Sequence, residues 1–350
     1  MRILHVLNTN RFSGAENVVC HIINLFRFEN NYEMIYCSPD GNIKQVLAER
    51  KIKFAPMESL TYAELKKVIT ELQPDIIHAH DMRASFVASC VCGSIPVVSH
   101  IHNNAFDSRA ISLKSIAYLR AGFKAKHIFW VSQSSYDGYI FNKLFSKKSS
   151  VLCNVIDPIE LYDKMRLDCN VYDYDVVYLG SIIYPKDPYR LLDVCSLLID
   201  KCKSIKIAVV GTGAMEAEII QNASERGLLD NISFLGFQEN PYKILYNAKV
   251  MIMTSRWEGM PMCALEAMAL GVPIVGTPVD GLKNIIINGQ NGFLSNENEE
   301  IAHFILCILN DRELYSTLSS NQIRLSHEIN NLENYKKTIE IKYKSILNQL

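Results

Sequence analysis

Short apolar runs rich in β-branched and aromatic residues recur along almost the whole chain, separated by amphipathic stretches with helical spacing. RILHVLN (2–8), YEMIYCS (32–38), DIIHAH (75–80), IPVVSHIH (95–102) and HIFWVS (127–132) read as strands, with helical patterns over 15–27, 61–72, 82–93 and 133–144. This alternation restricts the fold sharply. Helices that link successive strands must cover both faces of one sheet, which is the α/β arrangement of a doubly wound parallel sheet. The rhythm falters over 154–173, NVIDPIELYDKMRLDCNVYD, which is polar and has no clear period. It resumes with VVYLG (176–180), IKIAVVG (205–211), NISFLG (231–236), KVMIMTS (249–255) and VPIVGT (272–277). At about 100–200 residues per domain, 350 residues agree with two domains. The expectation is a Rossmann-like domain over 1–160, a second over 161–330, and a closing helix over 331–350. Ligands of open α/β sheets gather at the carboxyl ends of the strands, so two such domains facing each other would frame a cleft.

Composition removes several classes. At 49% hydrophobic and 21% charged, the chain can bury sizeable cores and is not disordered. No apolar run reaches the ~18 residues of a membrane span. Met1-Arg2 leads straight into ILHVLN, with no signal core or cleavage site. The ten cysteines are scattered, and Cys90-x-Cys92 has the wrong spacing for a zinc or redox pair. They read as thiols in a reducing cytosol, several of them small core residues. The net charge of −1 divides unevenly: residues 1–150 carry 18 Lys/Arg against 12 Asp/Glu, and residues 151–350 carry 18 against 25. The basic half could face an anionic membrane or substrate. RAISLKSIAYLRAGFKAK (109–126) concentrates that charge, with five Lys/Arg and no acid among Ile111, Leu113, Ile116, Leu119 and Phe123. Such a stretch suits an anionic lipid interface.

RWEGMPMCALEAMALGVPIVGTPVDG (256–281) places Glu258 and Glu266 eight positions apart around a Gly-x-Pro. The strand before it ends at Ser255, and a helix is expected from about Pro261-Met262, proline suiting the first helical position. Gly259 would let the backbone approach a ligand. The N–H groups of Met260, Met262, Cys263 and Ala264 would then leave the helix start as an anion site. A carboxylate accepts hydrogen bonds from a vicinal diol. The stretch can therefore hold a diphosphate at the helix start, a ribose on Glu266 and a sugar hydroxyl near Glu258.

Other turns follow strands. VVGTGAMEAEI (209–219) contains Gly211-x-Gly213, LNTNRFSGAEN (7–17) contains Gly14, and LGSIIYPKDP (179–188) puts Lys186 where an ammonium could meet a phosphate. His78, His80, His100 and His102 alternate in two strand ends, each pair facing one side. They can be read as a zinc hydrolase site or as packed strand residues. Asp173-Tyr174-Asp175 matches the Asp-x-Asp of metal-dependent sugar transferases, but precedes a strand and reads as coincidence.

Taken in order, SGAE, DIIHAHD, HIHN, VSQSS, NVID, GSIIYPK, GTGAMEAEI and EGMPMCALEAMALGVPIV resemble the retaining GT-B glycosyltransferases of family 4, the glycosyl transferases group 1. The resemblance covers nearly the whole chain. It implies a hexosyltransferase with two Rossmann-like domains, the first on the acceptor side and the second on the nucleotide-sugar side, with the last helix packing back on the first. His102 and Glu258 would stand at the reacting sugar. Gly14, Ala15, Glu16, Ser181, Lys186, Gly211, Gly213, Phe237, Gly259, Met260, Pro261, Met262 and Glu266 would bind the donor. His80, Asp81 and Asn103 would lie on the acceptor side. The family usually has Arg where this chain has Ser181, which leaves Arg256 as a substitute cation. The resemblance further implies a UDP-sugar donor, no metal or other cofactor, no nucleic acid, and a glycan acceptor carried on a lipid. The product would be a bacterial surface polysaccharide or capsule, made in the cytoplasm with peripheral contact to the inner face of the plasma membrane. An epimerase or a soluble-acceptor transferase would fit the same fold.

Overall fold

The computed structural model describes residues 1–103 and 106–348. The chain forms two compact units, one made of Met1–Val155 and the last helix, the other of Ile156–Asn331.

The sheet of the first unit holds β1 (Arg2–Val6), β2 (Glu33–Pro39), β3 (Phe54–Met57), β4 (Ile76–His80), β5 (Val97–Ile101), β6 (His127–Trp130) and β7 (Ser149–Val151). Its order is β3-β2-β1-β4-β5-β6-β7 and every pair is parallel. Its helices are α1 (Gly14–Leu25), α2 (Ile43–Glu49), α3 (Tyr62–Leu72), α4 (Asp81–Val91), α5 (Leu113–Lys124) and α6 (Gln133–Asp137). One face packs Leu4, Val6, Ile77, Ala79 and Val97 against Leu65, Val68 and Ile69 of α3 and Ala84, Val87 and Ala88 of α4. Tyr118 and Ala121 of α5 extend that layer over Ile101, Ile128 and Trp130.

The second unit begins with α7 (Pro158–Leu167), then β8 (Val176–Leu179), α8 (Pro188–Lys201), β9 (Ile207–Val210), α9 (Glu216–Glu225), β10 (Ile232–Gly236), α10 (Tyr242–Asn247) and β11 (Val250–Met253). It continues with α11 (Met262–Ala269), β12 (Ile274–Gly276), α12 (Asp280–Lys283), β13 (Gly292–Leu294), α13 (Asn298–Asn310) and α14 (Arg312–Ile329). The strand order β10-β9-β8-β11-β12-β13 is again all parallel. Leu191, Leu192 and Leu198 of α8 and Ile301 and Ile305 of α13 cover Val176, Ile207, Val209, Val250 and Ile252. The last helix, α15 (Leu332–Leu347), returns to the first unit.

The boundary falls at 155/156, ahead of the 160/161 division expected from the sequence. The polar segment there is not featureless. Asp157 caps α7 by accepting from the N–H groups of Ile159 and Glu160, and Pro158 takes the first helical position. Only Leu161 and Met165 of α7 are buried, a stripe too narrow to register as a helical period. The helix expected over 133–144 is likewise shorter, since α6 stops before Gly138.

Candidate functional site

In both sheets the strand order reverses once, between β1 and β4 in the first and between β8 and β11 in the second. Ligands of open α/β sheets bind outside the carboxyl ends at such reversals.

In the second unit, the loops after β8 and β11 are fastened together. The Thr254 hydroxyl donates to the carbonyls of Lys186 (3.1 Å) and Asp187 (3.2 Å), and the Arg256 N–H to that of Pro185 (2.8 Å). The Arg256 guanidinium pairs with Asp187 at 2.7 Å and lies 4.5 Å from the centre of the Tyr184 ring. Lys186 forms a hydrogen-bonded ion pair with Glu258, whose Oε1 also accepts from the Ser255 hydroxyl at 2.6 Å. Burial pulls the Lys186 ammonium toward neutrality, but the Glu258 carboxylate outweighs it and the pKa ends above its ordinary value. Lys186 is thus held by a carboxylate from the loop after β11, a pairing the sequence did not indicate. Asp187, at the start of α8, adopts a left-handed backbone with φ 49°. Ser181 takes part through its carbonyl, which accepts from Tyr178 at 2.9 Å.

The helix of the Glu-x7-Glu stretch starts one residue later than expected. Pro261 is its cap, with φ −70° and ψ 121°, and Met262 opens α11. The Ala264 N–H bonds back to the Pro261 carbonyl at 3.2 Å, so it is not an open donor. The N–H groups of Met262 and Cys263 precede the first intrahelical bond and carry the positive end of the helix. Gly259, Met260 and Pro261 are buried in the turn that leads in. Glu266 lies further along α11, 8% exposed, with the Tyr242 hydroxyl 3.4 Å from its Oε1.

Gly211 and Gly213 serve backbone packing. A Cβ on Gly211, which has φ +136°, would stand 2.0 Å from the Gly180 carbonyl oxygen, and one on Gly213 2.1 Å from that of Ile182. These glycines let the loop after β9 lie on the loop after β8, and the Gly211 N–H donates to the Gly236 carbonyl at 2.8 Å. Phe237, after β10, is 56% exposed. Asp173 and Asp175 are tied to the Lys206 ammonium and N–H.

In the first unit, Gly14 opens α1 with open space where a Cβ would be. Ala15 is half-buried beside it. Glu16 points inward, 3% exposed, and accepts from Thr9 and Ser13, which fits a clamp on the β1–α1 loop better than a ligand contact. Asp81 follows β4 in a left-handed backbone, φ 65°, and accepts from the N–H of His102 at 3.1 Å and the Asn103 amide at 3.2 Å. Burial raises its carboxyl to about 6.

The histidines do not form two separate pairs. The register sets His5 beside His78 and His80 beside His100, so all four expected histidines and His5 share one face of the sheet. His80 is 2% exposed, too buried for the acceptor contact proposed for it. Burial holds His5 near pKa 3 and His102 near 4, and drives His78, His80 and His100 well below the ordinary value. Donor atoms of His5, His78 and His80, and of His80, His100 and His102, lie within 4.8 Å of one another. Both nitrogens of His80 are nevertheless engaged, by His5 at 3.0 Å and His102 at 2.8 Å, so a metal there would have to displace two hydrogen bonds. α15 closes over this face, with the Tyr343 hydroxyl 2.6 Å from His78 Nδ1. Sequence reasoning overlooked His5, Asp187 and Tyr343, and it named Arg256 as a substitute cation without its Asp187 partner.

Two family models match the chain, "Glycosyltransferase Family 4" over residues 12–160 and "Glycosyl transferases group 1" over residues 166–324. An uncharacterized glycosyltransferase of Haemophilus influenzae is 23% identical over 92% of this chain and 94% of its own. The capsular polysaccharide biosynthesis glycosyltransferase CapM of Staphylococcus aureus is 26% identical over 46% of this chain and 42% of its own. Among solved structures, Anabaena HepE in complex with UDP-glucose superposes with a TM-score of 0.84 at 21% identity, covering all of both chains. That likeness gives the fold, two Rossmann-like units of the GT-B type.

Proposed function

Since the chain belongs to the group 1 glycosyltransferases, we propose that it moves a sugar from a UDP-sugar, with retention at the anomeric carbon, to a lipid-linked glycan in bacterial surface polysaccharide synthesis. The observation that carries the donor half is the second sheet's reversal point. There the start of α11, Lys186 and Arg256 gather positive charge beside Glu258 and Glu266. HepE was crystallised with UDP-glucose and CapM is a capsule enzyme, which supports the nucleotide and the product class.

The diphosphate lies at the N–H groups of Met262 and Cys263, the ribose diol on Glu266, and the sugar near Glu258. The acceptor oxygen bonds to the anomeric carbon on the face from which the phosphate oxygen departs, and the acceptor proton passes to that oxygen. Departing charge is met by the helix start and the two cations, which are fixed in advance by Glu258 and Asp187. His102 and Asp81 at the carboxyl ends of β5 and β4 serve the reacting sugar and its acceptor. No metal enters this account. The test is a panel of nucleotide-sugars with the product anomer read by NMR, with and without EDTA. Retention and chelator-resistant turnover are expected. An inverted anomer, or activity restored only by Mn²⁺ or Zn²⁺, would overturn the mechanism.

No helix among the described residues is long and apolar enough to cross a membrane. The lipid-linked acceptor is reached through α5. Ile111, Leu113, Ile116 and Phe123 are exposed there, joined by Leu144, and a hollow beside Phe123 is lined by Lys124, Lys126 and Lys148. Apolar contacts with nearby cations, each contributing about 1 kcal/mol, suit an anionic bilayer surface. Co-sedimentation with anionic and with neutral liposomes tests this. Lys114→Gln/Arg120→Gln/Lys124→Gln should lose binding to the anionic liposomes alone; equal partitioning of parent and variant would end the idea.

A further inference from the structure

His5, His80 and His102 form one hydrogen-bonded row that crosses β1, β4 and the end of β5. His5 Nδ1 lies 3.0 Å from His80 Nε2, and His80 Nδ1 lies 2.8 Å from His102 Nε2. The ring centres are 5.3 and 5.1 Å apart with planes only 20° and 19° from parallel. Each centre-to-centre distance exceeds its N–N distance by about two ring radii, so each bond runs in-plane, edge to edge, as a strong imidazole hydrogen bond requires. At its inner end the row meets Met34, with Sδ 3.4 Å from His5 Nε2. At its outer end, His102 Nδ1 is buried without a partner among the described residues.

Proton counting gives this row a direction. A neutral imidazole carries one N–H, and which nitrogen bears it is set by the partner of the other. A thioether sulfur has no proton to give, so the His5–Met34 contact is a hydrogen bond only if His5 is protonated at Nε2. His5 Nδ1 is then bare and must accept from His80 Nε2–H. His80 Nδ1 is bare in turn and must accept from His102 Nε2–H. We propose that Met34, His5 and His80 are positioning residues which fix His102 as the Nε2–H tautomer, leaving Nδ1 as an acceptor for a substrate hydroxyl. This rests on the placing of His102 at the reacting sugar in the function proposed above. The reversed row would turn His102 Nδ1 into a donor and bring a bare His5 nitrogen against sulfur. The row therefore selects for a group that donates to His102, a sugar or acceptor hydroxyl, and against a bare phosphate oxygen.

The test is long-range ¹H–¹⁵N correlation NMR on the full chain labelled with ¹⁵N-histidine, near neutral pH. Protons on Nε2 of His5, His80 and His102 are expected; Nδ1–H as the main form of any of the three would overturn the proposal. Met34→Leu keeps nearly the same volume and removes the sulfur. It should admit a population of His102 with Nδ1–H, and an unchanged spectrum would refute the anchoring role. His80→Leu should free the His102 tautomer and lower kcat by roughly 10–100-fold, by analogy with the loss of the outer partner of a metal-ligating histidine. KM for the nucleotide-sugar should hardly move. In His80→Asn the amide oxygen takes the place of Nδ1 and should restore both the tautomer and most of kcat. Equal kcat in the Leu and Asn variants would count against the row. The tautomers are read without substrate, so failure of the transferase reading shows as absent turnover with the NMR pattern intact.

Discussion

The two sheets reverse their strand order in the same way, yet the polar groups gathered near the two reversals are of opposite kinds. The second unit holds charges in pairs, Lys186 with Glu258 and Arg256 with Asp187, on loops beyond the strand ends. The first unit holds neutral imidazoles, set side by side on one face of the sheet and buried beneath α15. A paired charge at a loop can exchange its partner for an incoming diphosphate. A buried neutral row cannot accept charge without losing stability, but it can fix the direction of a hydrogen bond. Charge is placed where the ligand is charged, and directional order where it is not.

Acid should separate the two units most widely. Below about pH 6.5 unfolded histidines bind protons that His5 (folded value about 3) and His102 (about 4) refuse. Stability is thus complete above pH 6.5 and falls as pH drops toward 4, by roughly 1.4 kcal/mol per pH unit for each such histidine. Glu16 works weakly the other way on His102. Hydrogen exchange, corrected for intrinsic rates, should show β1, β4 and β5 losing protection between pH 7 and 5 while β8 and β11 keep it. Equal loss in both sheets would break the comparison.

Within the second unit, Lys186→Met should cost about 3–5 kcal/mol, because Glu258 is left buried and unpaired. Adding Glu258→Gln should recover part of it, and denaturant melts of the two variants check the coupling. Glu266→Ala should weaken UDP binding by about 1.5–3 kcal/mol in calorimetry, with little change in melting. The smallest effect belongs to the first unit. Tyr343→Phe removes one neutral hydrogen bond to His78 and should cost about 1 kcal/mol of stability.

The main strands and their parallel pairing were legible because short apolar runs alternate regularly with helical stretches. β3, β7 and β13 were not, being edge or near-edge strands of three or four residues without an apolar run of their own. The four histidines were visible by their period of two, but His5 entered only through its register with His78. No spacing within one strand announces that pairing. The pairing of Lys186 with Glu258 was hidden for the same reason, since the carboxylate lies on a loop that only the strand reversal brings near. The packing role of the two glycines after β9 could not be told from donor binding, because a ligand and a neighbouring backbone ask the same thing of a residue, the absence of a side chain.

α15 belongs to the first unit although residues 156–331 stand between it and the rest of that unit. At synthesis rates of about 5–20 residues per second, a ribosome takes roughly 10–35 s to add that intervening stretch. For that interval the newly made first sheet has no Tyr343 over His78, and one face of its imidazole row is unsealed. The second unit can finish folding while the first, begun earlier, is still waiting for its cover. Chaperone capture during translation should therefore favour the earlier half of the nascent polypeptide.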